Sequence, residues 1–153
     1  MQKLHFADIE QLGSLNDLIH DEYFELDDIT YNKERGLVEI PFRRIFHGQQ
    51  PLRIIRRKWF SRVGEVDVLR CFLRVGEVQH YEVIDKAKIG IDSFNTVEYV
   101  PVSNSLIFEC CVGCELRLTV SRLSIEYVEV EYRGKARITY GLFWESNDGT
   151  VYE

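Results

Sequence analysis

A chain of 153 residues with 45% apolar residues, 29% charged residues and a net charge of −6 is long enough to bury one hydrophobic core, and this composition excludes the disordered, fibrous and helical membrane classes. Nine Phe, eight Tyr and two Trp, against three Pro and one Met, favour pleated, half-buried surfaces over helices. Met1 to Asp8 lacks the basic-then-apolar layout of a secretory signal and no apolar run approaches a membrane span, so the expected location is the cytoplasm, with Cys71, Cys110, Cys111 and Cys114 as free thiols.

Residues 1 to 20 read as helix. Phe6, Ile9, Leu12, Leu15, Leu18 and Ile19 recur at three- and four-residue spacing, Asp8 and Ser14 are candidate N-caps, and Gly13 interrupts the pattern, so one or two short helices are expected. After Asp21 the period becomes two. Residues 23–31 and 37–46 flank Asn32-Lys33-Glu34-Arg35-Gly36 and read as a hairpin. Further strands are predicted at 52–60, 65–75, 78–84, 96–100, 105–111, 115–121, 123–132 and 136–144, with turns that include Arg62-Val63-Gly64, Val112-Gly113 and Arg133-Gly134-Lys135. In 115–121, Leu116, Leu118 and Val120 alternate with polar residues, the mark of an antiparallel strand with one wet face. The phase breaks at Val68-Leu69 and at Tyr127-Val128 without a turn residue, which predicts bulges or bends there. The expected fold is mainly β: an antiparallel β-sandwich or partly open barrel of about 8–10 strands with one or two short N-terminal helices, forming a single domain over residues 1–153.

Charge is uneven along the chain. Residues 1–39 hold ten acids against Lys3, Lys33 and Arg35, whereas residues 40–64 hold no acid and seven bases, Arg43, Arg44, Arg53, Arg56, Arg57, Lys58 and Arg62. Phe42, Phe46, Trp59 and Phe60 are interleaved with these bases, a mixture found in grooves that bind single-stranded nucleic acid. A pI near 5.3 opposes binding to a polyanion, and a phase change at Ile54-Ile55 divides the charges between two faces. Arg and Trp are frequent interface anchors. The favoured partner is therefore another protein or a second copy of the chain, bound through Arg43, Arg56, Arg57, Trp59 and Phe60, with nucleic acid as the alternative. In the competing reading Trp59 and Phe60 are core residues and the arginines pair with Asp27 and Asp28.

Cys111-Val112-Gly113-Cys114 has the spacing at which two thiolates at a turn meet one zinc ion. Only Cys71 and His80 are candidates for the remaining ligands, and the alternative is a two-residue hairpin turn with Cys111 and Cys114 facing each other. No cofactor is expected. His20-Asp21 is similar to the dipeptide of metal-dependent phosphohydrolases, but the chain has only three other histidines, and Asp21 serves equally well to end the helical region. Phosphate loops, nucleophile elbows and zinc-protease motifs are absent. The sequence thus favours a non-catalytic binding module over a small hydrolase or transferase that would use His80, His20 or a cysteine.

The stretch His20-Asp21-Glu22-Tyr23-Phe24-Glu25-Leu26-Asp27-Asp28-Ile29, followed by the hairpin to Ile40, resembles the opening of small, uncharacterised bacterial β-rich families, some of them immunity proteins of toxin systems. The resemblance spans residues 20–40 and implies a bacterial accessory or binding protein. It assigns no catalytic or binding residue.

Overall fold

A computed structural model describes residues 1–45, 53–57, 61–141, 145–146 and 151–152. In chain order the elements are β1 (Lys3–Phe6), a 3-10 turn (Ile9–Gln11), α1 (Leu12–Ile19), β2 (Tyr23–Glu25), a second 3-10 turn (Leu26–Asp28), β3 (Thr30–Asn32), β4 (Leu37–Arg44), β5 (Arg53–Arg57), β6 (Ser61–Val75), β7 (Val78–Asp85), β8 (Ile91–Val100), β9 (Ser105–Cys110), β10 (Cys114–Val120), β11 (Ile125–Gly141), β12 (Glu145–Ser146) and β13 (Val151–Tyr152). The fold is mainly β, with one short N-terminal helix. One antiparallel sheet runs β1-β11-β6-β4-β2-β8-β9-β10-β7, with β3, β5, β12 and β13 as side branches, and it does not close into a barrel. Its main core nevertheless holds Val78 of β7 together with Phe6 of β1, the two ends of that order, so the sheet curls around a shared interior. No described helix is long and apolar enough to cross a membrane.

The N-terminal segment is part strand and part helix. Leu12, Leu15 and Ile19 are buried on one face of α1, as the spacing predicts, and Gly13 lies inside that helix without splitting it. Lys3–Phe6, however, is a strand registered against Val128–Ile125. Four residues cannot recover the cost of helix nucleation, whereas the free edge of β11 offers a ready backbone ladder. The Gln11 side chain accepts the Ala7 and Asp8 N–H groups at 2.8 and 3.1 Å and starts the first 3-10 turn. Residues 23–31 are likewise not one strand, because the 3-10 turn at Leu26–Asp28 separates β2 from β3.

Two expected turns are absent. Arg62-Val63-Gly64 lies within β6, and Arg133-Gly134-Lys135 lies within β11. These strands pair along most of their length, and the ladder absorbs the irregularity as two register shifts in β11, between Glu129 and Glu131 and between Tyr132 and Lys135. The break expected at Val68-Leu69 is present: both are buried, Leu69 in the main core with Cys71, Leu73 and Val75, and Val68 in a second cluster with Ile45, Val66, Ala136 and Ile138. Adjacent strand residues point to opposite faces, so β6 supplies a core on each face in turn. At Tyr127-Val128 the alternation is regular, with Tyr127 buried and Val128 half-buried, and the bulge falls beyond Glu129 instead.

Gly36 closes the β3–β4 hairpin at φ +60°, and a Cβ there would lie 2.9 Å from the Val78 carbonyl oxygen. The Gly36 carbonyl also accepts the Val78 N–H at 2.9 Å, tying the edge strand β7 back to the hairpin. Gly36→Ala is therefore expected to cost about 1–3 kcal/mol through left-handed backbone strain and the contact with Val78. Urea denaturation measures this, and an unchanged midpoint would refute the tight approach.

Candidate functional site

Register places the first constellation. Tyr23 of β2 pairs with Arg43 of β4, Arg43 with Arg70 of β6, and Arg70 with Glu131 of β11. Phe42 and Cys71, the chain neighbours of the two arginines, point into the main core, so Arg43 and Arg70 lie on the opposite face. There Arg43, Arg70, Arg133 and Val151 line a cavity of about 390 Å³, and a smaller one of about 150 Å³ adjoins it, with Tyr23, Glu25 and Asp28 in its wall beside the same two arginines. Like charges directly opposite one another on adjacent strands repel. Glu131 meets Arg70 at 3.4 Å. Among the described residues Arg43 has no such ion pair: its Nη2 is buried without a hydrogen-bond partner, and none of the described ion pairs joins it to Asp27 or Asp28. Of the other residues expected here, Arg56 and Arg57 lie on β5 with backbone partners Val63 and Arg62, while Trp59 and Phe60 lie outside the described residues. The phase change at Ile54-Ile55 appears as a register shift between Ile54 and Arg56.

Arg44 turns to the inner side. Its Nη1 donates to the Tyr127 hydroxyl at 3.0 Å and approaches Glu129 at 3.5 Å, and Tyr127 donates in turn to Glu129 at 3.0 Å. Cys71 Sγ lies 3.7 Å from the same hydroxyl. Burial pushes the Cys71 thiol up to about 12, so it stays protonated and unreactive.

The β9–β10 connection carries the second constellation. Glu109 pairs with Glu115, which puts Cys110, rather than Cys111, opposite Cys114 across a three-residue loop. Both of these thiols are buried, and their Sγ atoms and a carboxylate oxygen of Asp92 lie within 4.8 Å of one another. Asp92, at the start of β8, is 3% exposed and accepts three backbone N–H groups, Ser93 at 2.7 Å and Val112 at 2.8 Å on Oδ1 and Cys114 at 3.0 Å on Oδ2. The hydrogen bond between the Cys110 and Cys114 thiols, and then burial, push the Cys110 thiol up.

Cys111 is exposed and directs its thiol to the Phe94 carbonyl at 3.6 Å and to Asp21 Oδ1 at 3.8 Å. Burial of its sulfur, with the Asp21 charge adding to the effect, pushes this thiol up as well. His20 lies beyond Asp21, Nε2 to Oδ2 3.5 Å. Asp21 thus turns Oδ1 toward the thiol and Oδ2 toward the imidazole, and among the described residues no hydrogen bond joins a histidine to the sulfur, the contact by which an imidazole would activate it as a nucleophile. His20 ends α1 by donating its N–H to the Asn16 carbonyl, and Asp21 follows at φ +64°, so the pair terminates the helix. His80 is exposed on β7 opposite Thr119, remote in register from both Asp92 and the cysteine loop.

No protein-family model, curated protein or solved structure matches the chain. Among the residues that build these sites, Arg70, Arg133 and Asp92 carried no local sequence signal. The alternation of Leu37–Arg44 puts Arg43 on the face away from the main core, and that of Leu69–Val75 does the same for Arg70, while the register that sets the two side by side is decided by the sheet.

Proposed function

We propose that the protein is a non-catalytic binding module that recognises an acidic segment of another protein, with Arg43 and Arg70 as the anchoring side chains and Arg133 at the rim of the same cavity. The observation that carries this reading is the cross-strand pairing of Arg43 with Arg70 at a cavity of about 390 Å³, with a buried Arg43 donor left unpaired. An arginine fork binds a carboxylate through two parallel hydrogen bonds, and a carboxylate between the two strands would offset their mutual repulsion. A discrete cavity with Glu25 and Asp28 in its neighbouring wall, on a chain of net charge −6, suits a short acidic segment better than a long polyanion. A cytoplasmic bacterial setting for such a module remains part of the proposal.

Calorimetric titration with a short glutamate-rich peptide, its glutamine counterpart and a single-stranded oligonucleotide tests the reading. The acidic peptide should bind, and Arg43→Gln with Arg70→Gln should weaken it at least tenfold, since a charge-assisted hydrogen bond contributes about 1.5–3 kcal/mol. The double variant should stay within about 1 kcal/mol of the parent's stability, because it removes a like-charge pair along with the exposed Arg70–Glu131 ion pair. Equal binding of the acidic and glutamine peptides, or tighter binding of the oligonucleotide, would overturn the proposal.

A further inference from the structure

We propose that Asp92, Cys110 and Cys114 form a binding site for one zinc ion at the base of the β9–β10 loop. Three strands converge there: β8 contributes Asp92, the end of β9 contributes Cys110, and the start of β10 contributes Cys114. Tetrahedral zinc with sulfur at about 2.3 Å and oxygen at about 2.0–2.2 Å holds its ligand atoms about 3.5–3.8 Å apart. The three donors already lie within 4.8 Å of one another, so small side-chain rotations close the set.

The carboxylate is prepared for this role. A carboxylate has about four lone-pair positions, and the three backbone N–H groups occupy two on Oδ1 and one on Oδ2. One position on Oδ2 stays available, and the carboxylate is held in place by the loop whose cysteines would share the ion. Outer hydrogen bonds of this kind orient metal ligands. Two sulfurs and one oxygen suit zinc better than calcium or magnesium, which take oxygen ligands. Water completes the coordination from the loop side, where a Cβ on Gly113 would meet nothing within 4 Å. On binding, both thiols lose their protons to solvent and coordinate as thiolates, leaving the ion with its three ligands at a net charge of −1. The pairing expected from Cys111-Val112-Gly113-Cys114 thus shifts by one residue, and neither Cys71 nor His80 joins the set.

The test uses the full chain, reduced and stripped of metal, titrated with cobalt(II) as a spectroscopic probe and then with zinc. One equivalent of cobalt should produce thiolate-to-cobalt charge-transfer and tetrahedral ligand-field bands, and one equivalent of zinc should abolish them. Cys110→Ser and Cys114→Ser should each lose these bands or lower cobalt affinity at least tenfold, while Cys111→Ser should retain them. Should either variant fail to fold, the parent chain still decides through the cobalt bands, their loss on adding one equivalent of zinc, and the proton release that accompanies zinc binding by two thiols. Absence of the bands, zinc binding below about a tenth of an equivalent, a Cys110–Cys114 disulfide forming under these conditions with no metal uptake, or loss of the bands in Cys111→Ser would overturn the proposal.

Discussion

Phe94→Ala is expected to remove about 3–5 kcal/mol of stability, a large part of the roughly 5–15 kcal/mol that holds a domain together. Phe94 is fully buried. Its ring stacks on Phe24 at 4.6 Å, meets Phe42 edge-on at 5.5 Å and lies 5.9 Å from Phe108. One residue thus joins β2, β4, β8 and β9 at the centre of the curled sheet. Its backbone also receives the end of α1: the Phe94 N–H donates to the Glu22 carbonyl, and the Phe94 carbonyl accepts the Asp21 N–H. Alanine would retain those bonds while leaving a cavity among three other rings. Phe94→Leu, which keeps most of the volume, should cost about 1–2 kcal/mol. Urea denaturation with both variants checks this, and a cost for alanine no larger than that for leucine would mean that the aromatic cluster collapses to fill the space.

Asp92→Ala should be comparably severe, about 3–5 kcal/mol, because it strands the backbone N–H groups of Ser93, Val112 and Cys114 with no replacement acceptor. The effect is separable from metal binding when measured on stripped protein. Asp92→Asn keeps one carbonyl oxygen but turns an NH₂ toward backbone donors, so it should recover only part of the loss. Hydrogen exchange gives a residue-level readout: the Val112 and Cys114 amides should lose protection in Asp92→Ala while those of Leu69–Val75 follow only the global decrease. A loss below about 1 kcal/mol with those two amides still protected would show that the carboxylate does not hold the loop.

The sequence by itself determined the elements whose signal is local. Alternation in 115–121 specified the inward set Leu116, Leu118 and Val120, all fully buried, because a strand's period of two follows from backbone geometry alone. The apolar spacing of Leu12, Leu15 and Ile19 determined a helix for the same kind of reason, and the doubled apolar pair Val68-Leu69 marked the point at which β6 changes cores. Tertiary structure decided whatever depends on which strand lies beside which. Lys3–Phe6 became a strand because β11 had an edge to pair with. Gly64 and Gly134 stayed inside strands because long ladders outweigh a turn propensity. Cys110 rather than Cys111 faces Cys114 because a hairpin shifted by one residue moves every side chain to the other face. Arg43 meets Arg70, and Asp92 meets the cysteine loop, across 27 and about 20 residues of chain respectively. Those meetings are set by hydrogen-bond register between strands, which no pattern within either segment encodes.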